Sequence, residues 1–119
     1  MELYLQEELE KKYPNLKPRF NPKDIIGSEL DIYIADLKLA FELNGVFHYE
    51  PIYGVEKLGS IQANDQRKMI ACYEQGIELC VIDISSVEQF TKKEGKRFLD
   101  IIIQIIEQAI SRQSSDVTV

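Results

Sequence analysis

One stretch of sequence, residues 29–45, constrains the fold of this chain more than any other. It reads ELDIYIADLKLAFELNG, and apolar residues alternate with other residues on both sides of Ala35 and Asp36. Alternation with a period of two is typical of β-strands that bury one face. Two such runs around a short break indicate a β-hairpin with Ala35 and Asp36 as its turn. The side chains of the second run that we expect to face the core are those of Leu37, Leu39, Phe41 and Leu43.

The segment before the hairpin predicts a helix and a short strand. Residues 2–12 have the apolar spacing of a helix, which Pro14 should end. Three prolines fall within residues 14–28, and a short edge strand is expected near residues 19–20.

The segment after the hairpin predicts a loop, a helix and a strand. Residues 49–60 contain one proline and two glycines and are expected to form a loop. A helix over residues 61–75 should end at Gly76, because glycine favours the left-handed conformation that terminates helices. The apolar run over residues 77–84 is typical of a strand buried on both faces. The side chains of this helix that should point inward are those of Met69, Ile70 and Tyr73.

The last part of the chain predicts a C-terminal helix. Thr91 and Glu94 are spaced as a capping box, and the helix should extend to about Arg112. We expect residues 1–112 to form a single domain and residues 113–119 to be a disordered tail. The order helix, three strands, helix, strand, helix predicts an α/β fold with a mixed sheet flanked by helices.

The C-terminal helix has more apolar residues than a single core requires. A surface helix needs one apolar stripe, whereas the apolar residues within 98–110 point around most of the helix. The surplus indicates burial against another subunit. The sequence therefore predicts a homodimer or a higher symmetric oligomer.

The charge of the chain is unevenly distributed. A net charge of −6 gives no general attraction to nucleic acid or to acidic membranes. The segment from Lys11 to Lys23 is an exception, because it has five basic residues and no acidic one. It is either a solvated segment anchored by Tyr13 and Phe20 or a strip that contacts nucleic acid. The candidates for DNA contact in this segment are Lys17, Arg19 and Lys23.

Two stretches of sequence bear on the location of the protein. The opening MELYLQEELEKK is acidic and never becomes apolar as a secretory signal does. The late stretch FLDIIIQIIEQAI is too short to span a bilayer and is interrupted by polar residues. We therefore expect a cytoplasmic protein.

Two carboxylates of the hairpin could share a cation. A turn at residues 35–36 makes Asp31 face Ala40. Glu42 is then the diagonal neighbour of Asp31 on the same face, roughly 7 Å away at the backbone. Carboxylate oxygens at this separation suit Mg²⁺ or Mn²⁺, and such an ion can activate a water molecule that attacks phosphorus. Alternatively, Asp31 and Glu42 lie on the solvated face of a half-exposed hairpin.

Two further polar residues are candidates for chemistry. His48, the only histidine in the chain, is either a catalytic residue or an ordinary loop or core residue. Asp65 lies in the sequence NDQRK and is either part of a site or an acidic residue of the kind favoured in the first turn of a helix. Neither signal is specific by itself.

The combined spacing of these residues resembles that of a known nuclease family. The pattern is a glutamate in the first helix, an aspartate in the first hairpin strand, a closing E-x-D-G-x-x-H element, an aspartate that opens the next helix, and a glycine before a buried strand. In this respect the chain is similar to the very-short-patch-repair-like branch of the PD-(D/E)XK restriction-endonuclease superfamily, which includes the EDxHD homing endonucleases of phages. The resemblance covers about residues 2–84. The matching positions are Glu2, Asp31, Glu42 to His48 (ELNGVFH), Asp65 and Gly76.

The resemblance implies a fold, an activity and a set of catalytic residues. The fold would be a restriction-endonuclease-like αβββαβ core, followed here by the C-terminal helix. The activity would be Mg²⁺- or Mn²⁺-dependent cleavage of double-stranded DNA by a homing or nicking endonuclease of a phage or bacterium. Asp31 and Glu42 would bind the metal. His48 would orient or deprotonate the attacking water or assist the leaving oxygen, and Asp65 would orient His48 or support the metal.

Three further residues would support this site. Glu2 would complete the catalytic set from the first helix, which also contains Glu7 and Glu8. Arg67 or Lys68 could bind the phosphate, because each lies within one helical turn of the aspartate that opens the next helix.

Asn44 departs from the family pattern. It stands where the family has the second acid of E-x-D-G and where the superfamily has the lysine of E-x-K. Asparagine offers a carbonyl ligand but neither negative charge nor a cationic donor. Three interpretations therefore remain: a metal-dependent endonuclease, a nuclease-fold DNA-binding module that has lost catalysis, and a self-assembling protein whose acidic face is incidental.

Overall fold

A computed structural model describes the backbone of residues 1–117 and the side chains of residues 1–114. Its elements are α1 (Glu2–Lys12), β1 (Arg19–Phe20), β2 (Ile32–Ile34), β3 (Leu39–Asn44), α2 (Val55–Glu74), β4 (Glu78–Asp83) and α3 (Lys92–Val117). The strands form one sheet in the order β1-β2-β3-β4, antiparallel between β1, β2 and β3 and parallel between β3 and β4. The predicted α/β class, with a mixed sheet, flanking helices and a C-terminal helix, is confirmed.

The hairpin forms, but its turn is wider than predicted. A 3₁₀ turn over Ala35–Leu37 is followed by Lys38 in the left-handed conformation (φ 49°). Tyr33, rather than Asp31, therefore pairs with Ala40. The predicted register was wrong by two residues. Because strand side chains alternate with a period of two, this shift leaves each side chain on its predicted face.

The sheet buries its larger apolar cluster on the face toward α1 and α3. Phe41 is fully buried there, and Leu37 packs against the same cluster in a partly buried position. The prediction that the apolar residues of the second run face the core is confirmed. The cluster joins α1, the hairpin and α3 through Leu5, Leu9, Ile32, Ile34, Leu39, Phe41, Leu43, Phe98, Ile102 and Ile106.

Helix α2 begins earlier than predicted and ends where predicted. It starts at Val55, inside the segment expected to be a loop. Gly76 (φ 71°) ends it, with its N–H donating to the carbonyl of Tyr73 (3.1 Å). The N–H of Ile77 donates to the carbonyl of Cys72 (2.8 Å). These two bonds make a Schellman motif, which satisfies the last carbonyls of the helix.

The face that α2 turns toward the sheet was predicted wrongly. Met69, Ile70 and Tyr73, expected inside, are 53%, 58% and 85% exposed. The side chains that are covered instead include Asp65 and Lys68, which lie three residues apart on one face of the helix. Apolar side chains were expected on the inner face of α2, whereas that face carries the charged side chains of Asp65 and Lys68.

Strand β4 was expected to be buried on both faces, and it is not. It pairs with β3 and forms one edge of the sheet, where Val81 is 43% exposed. Ile82 is buried on the side of the larger cluster. The apolar run over residues 77–84 alone does not distinguish an edge strand of this kind from a central one.

Helix α3 has the predicted start and a later end. The N–H of Glu94 donates to Oγ1 of Thr91 (3.2 Å), as in the predicted cap. The helix continues to Val117, so residues 113–117 of the expected disordered tail are helical. The rest of that tail, residues 118–119, lies outside the described residues.

Most of the apolar side chains of α3 are covered by other parts of the domain itself. Among the apolar side chains of residues 98–110, Ile101 is exposed and the others are buried or partly buried. The reason for predicting an oligomer through this helix is therefore removed. In the part of the chain that the structure describes, no helix is long and apolar enough to cross a membrane.

Candidate active site at the end of the hairpin

Two carboxylates are joined across the open end of the hairpin. The N–H of Asp31 donates to Oε2 of Glu42 (3.0 Å), and the N–H of Leu43 donates to Oδ2 of Asp31 (2.7 Å). Extending the register beyond Tyr33 and Ala40 makes Asp31 the residue opposite Glu42. The two predicted metal ligands are therefore direct neighbours rather than diagonal ones.

Lys68 of α2 contacts this carboxylate pair. Its Nζ lies 2.6 Å from Oε1 of Glu42, and the two side chains are 16% and 8% exposed. Both carboxylate oxygens of Glu42 are thus engaged, one by Lys68 and one by the N–H of Asp31. The sequence indicated Lys68 as a phosphate-binding residue but gave no sign of this pairing, because the partners lie 26 residues apart on different elements.

The environment of Glu42 makes it an unusually basic carboxylate. Burial raises the pKa of Glu42 from 4.5 to about 7, and the negative charge of Asp31 acts in the same direction. The hydrogen bond from Lys68 opposes this rise without cancelling it. Carboxylates perturbed by burial and a charged neighbour are enriched at functional sites.

A histidine–aspartate pair links the turn after β3 to α2. His48 ends a 3₁₀ turn, Val46–His48, that follows β3 directly, and its Nδ1 lies 2.8 Å from Oδ2 of Asp65 on α2. An aspartate at Nδ1 holds the proton on that nitrogen and leaves Nε2 as an acceptor. Nε2 has no hydrogen-bond partner among the described residues, so it can receive a proton from a reactant.

One cavity is lined by one residue of each pair, whereas neither Asp31 nor His48 lines it. It has a volume of about 160 Å³ and is lined by Glu42 and Asp65 together. Arg67, the alternative phosphate-binding candidate, is exposed and does not line it. The other polar lining residues are Asn44, Tyr49 and Lys68, and the apolar wall consists of Met69, Leu79 and Val81.

Glu2 approaches the carboxylates from the opposite side. It lines a small pocket of about 10 Å³ with Asp31. Burial, followed by the negative charges of Asp31 and Glu29, raises the pKa of Glu2. Glu8, on the same helix, pairs instead with Lys11 (3.6 Å). Glu2 is therefore the glutamate of α1 that adds negative charge beside Asp31.

Asn44 is buried at the end of β3, where the family pattern has an acid. It is 7% exposed and pairs in register with Asp83 of β4. Burial and the charge of Asp83 raise the pKa of Tyr49, whereas a hydrogen bond with Asn44 lowers it. The sequence did not point to Tyr49, which ends the turn after β3, or to Asp83, whose proximity to Asn44 depends on the parallel pairing of β3 with β4.

The predicted DNA-contact segment borders the Asp31 side of the cluster. The N–H of Asn21 donates to the carbonyl of Asp31 (3.0 Å), which fixes the segment beside the hairpin. Arg19 makes an exposed ion pair with Asp24 (2.8 Å), an interaction that contributes little and can be exchanged. The three candidates for DNA contact, Lys17, Arg19 and Lys23, are all exposed.

The donor chemistry of the cluster suits a hard cation. Asp31 and Glu42 offer carboxylate oxygens from adjacent parts of the hairpin, the ligands that Mg²⁺ and Mn²⁺ prefer. The repulsion that Asp31 exerts on the charged form of Glu42 would be relieved by such an ion. The described residues contain no group of three or more His, Cys, Asp or Glu side chains arranged to hold a metal. Further ligands would have to be water or substrate oxygens.

Comparison with known proteins gave no match. No protein-family model matches the chain, and no significant match was found among curated proteins or among solved structures.

Proposed function

We propose that this chain is an endonuclease that hydrolyses phosphodiester bonds in double-stranded DNA with Mg²⁺ or Mn²⁺. The observation that carries the proposal is the combination found at one cavity. Its lining contains a buried carboxylate, Glu42, whose Oε2 accepts the N–H of Asp31, together with Asp65, whose carboxylate holds Nδ1 of His48. Carboxylate ligands for a metal ion and a positioned base are what hydrolysis by an activated water needs.

His48 is the proposed general base. Asp65 holds the proton on Nδ1, so Nε2 presents its lone pair and takes a proton from the attacking water. Asp65 then stabilises the imidazolium that forms. Because the attacking and leaving oxygens lie in line on opposite sides of phosphorus, the leaving oxygen takes its proton from water, and His48 releases its proton to solvent afterwards.

Asp31 and Glu42 are the proposed metal ligands. A Mg²⁺ or Mn²⁺ ion held by them would supply Lewis-acid polarisation of the phosphate and would make the attacking water more acidic. The polypeptide contributes the buried position of Glu42, which keeps solvent from competing for its oxygens. Glu2 adds negative charge beside Asp31 and so favours a cation there.

The DNA backbone is the proposed partner of the nearby basic side chains. Lys68 lines the cavity and can neutralise the scissile phosphate. The segment that contains Lys17, Arg19 and Lys23 borders the cluster and can bind flanking phosphates. We propose a nicking or homing activity in the cytoplasm of a bacterial or phage-infected cell.

A plasmid-nicking experiment tests the proposal. Supercoiled DNA is incubated with the protein and Mg²⁺, Mn²⁺ or a chelator, and the open-circular and linear products are quantified. We expect metal-dependent cleavage by the wild type and its loss in Asp31→Asn and Glu42→Gln. Glu50→Gln, at an exposed acid of the following loop, is the matched control and should cleave like the wild type.

A DNA-binding module without catalysis is the second candidate, favoured by one specific observation. Asn44 replaces an acid at the end of β3, and both oxygens of Glu42 already have partners. This alternative predicts DNA binding that survives chelation and the absence of cleavage in either metal. The same plasmid experiment, followed by a gel-shift measurement, distinguishes the two candidates.

A further inference from the structure

The only positive charge that contacts the carboxylate pair, among the described residues, is an internal one. Lys68 Nζ lies 2.6 Å from Oε1 of Glu42, and the lysine side chain is 16% exposed. One helical turn further along α2, Cys72 is fully buried, so the floor beneath this ion pair is apolar. An ammonium group in such a setting neutralises Glu42 in the way that a bound cation would.

Lys68 and a divalent ion compete for the side chain of Glu42. Both oxygens of Glu42 already have partners, Lys68 on one and the N–H of Asp31 on the other, so a divalent ion on Glu42 would stand close to the ammonium group of Lys68. Like charges at contact distance repel strongly in poorly solvated surroundings. Binding of one cation to Glu42 therefore weakens binding of the other.

We infer that Lys68 is an exchangeable counter-ion of Glu42. It pairs with Glu42 when no metal is bound, and a divalent cation displaces its ammonium group from Glu42 toward the open part of the cavity that Lys68 lines. The inference rests on the proposed metal-dependent function. The cavity of about 160 Å³ beside Glu42 provides the space into which the lysine side chain can swing. There the released ammonium meets the substrate phosphate, so that metal binding and phosphate binding are coupled through one residue.

Calorimetric titration with Mn²⁺ in the absence of DNA tests the competition. Lys68→Met keeps an unbranched side chain that is one atom shorter than lysine and removes its charge. It should bind Mn²⁺ at least about tenfold more tightly than the wild type, since no internal cation has to be displaced. Lys57→Met, at an exposed lysine in the first turn of α2, is the matched control and should bind like the wild type. Equal or weaker binding by Lys68→Met overturns the inference.

Chemical labelling of the wild type tests the movement and does not depend on the folding of a variant. The protein is treated with an amine-acylating reagent with and without saturating Mn²⁺, and modification at each lysine is measured by mass spectrometry. Lys68 should become several-fold more reactive with Mn²⁺, while Lys57 should not change. Unchanged reactivity of Lys68 overturns the inference, as does the absence of Mn²⁺ binding in both the wild type and Lys68→Met.

These readouts separate the inference from the proposed function. Exchange of Lys68 without DNA cleavage would refute the endonuclease and leave the counter-ion role standing. Metal-dependent cleavage with unchanged Mn²⁺ affinity in Lys68→Met would refute the counter-ion role alone.

Discussion

The protonation of Glu42 should make the stability of this protein fall as pH rises toward neutrality. The pKa of Glu42 in the folded protein is about 7, against 4.5 for the unperturbed group. Between these two values the folded state binds more protons than the unfolded state, so the free energy of unfolding decreases as pH increases. At 1.36 kcal/mol per pKa unit, the difference amounts to a loss on the order of 3 kcal/mol.

Glu42→Gln removes this titration while keeping the shape of the side chain. The free energy of unfolding, measured by urea titration with circular dichroism in the presence of a chelator, is compared at pH 4.5 and pH 7.5. We subtract the free energy of unfolding of the wild type from that of Glu42→Gln at each pH. This difference should be about 3 kcal/mol more favourable to the variant at pH 7.5 than at pH 4.5. In the variant, Lys68 has lost its carboxylate partner at both pH values. That loss of stability is the same at both and therefore does not contribute to the difference between them.

The control for this measurement is a substitution at an exposed glutamate. Glu50→Gln, at an exposed position, should unfold at the same urea concentration as the wild type at both pH values. If the stability difference between Glu42→Gln and the wild type is the same at pH 4.5 and pH 7.5, burial does not raise the pKa of Glu42. If the wild type gains stability relative to the variant as pH rises, folding lowers the pKa of Glu42 instead of raising it.

Two further predictions concern packing and the helix end, and one concerns the catalytic pair. Phe41→Ala should lower the free energy of unfolding by about 3–5 kcal/mol in urea titrations, because Phe41 is fully buried. Gly76→Ala should cost about 1–2 kcal/mol in the same titrations, because φ is 71° and alanine is strained there. Gly59→Ala, within α2, should instead be neutral or stabilising by up to about 1 kcal/mol, and the opposite order would contradict the argument. Asp65→Asn should slow DNA cleavage at least about tenfold at unchanged stability, and an unaltered rate would remove Asp65 from the mechanism.

The local part of the fold could be predicted from the sequence because it depends on near neighbours. The alternation around Phe41 identified both the hairpin and its buried face. Gly76 marked the end of α2, and Thr91 marked the start of α3. The hairpin register was wrong by two residues because the turn uses the left-handed conformation of Lys38, for which the sequence has no glycine signal.

The orientation of α2 could not be predicted, because it depends on what the sheet presents to the helix. If the sheet presented a purely apolar surface to α2, the apolar side chains of Met69 and Tyr73 would be expected to face it. Glu42 is buried on the sheet, however, and a buried carboxylate without a partner is far more costly than an exposed tyrosine. The ion pair with Lys68 therefore selects the charged face of α2, and the same rotation presents Asp65 to His48.

The rate of cleavage of a duplex by His48→Ala tests the central claim most directly. A fluorescently labelled duplex is cut with Mg²⁺ under single-turnover conditions by the wild type and by the variant at equal concentration, after both are shown to unfold at the same urea concentration. A positioned general base raises the rate about 10²–10⁴-fold, so we expect His48→Ala to cut the duplex at least about 100-fold more slowly than the wild type. A variant that cuts as fast as the wild type would contradict the proposed site.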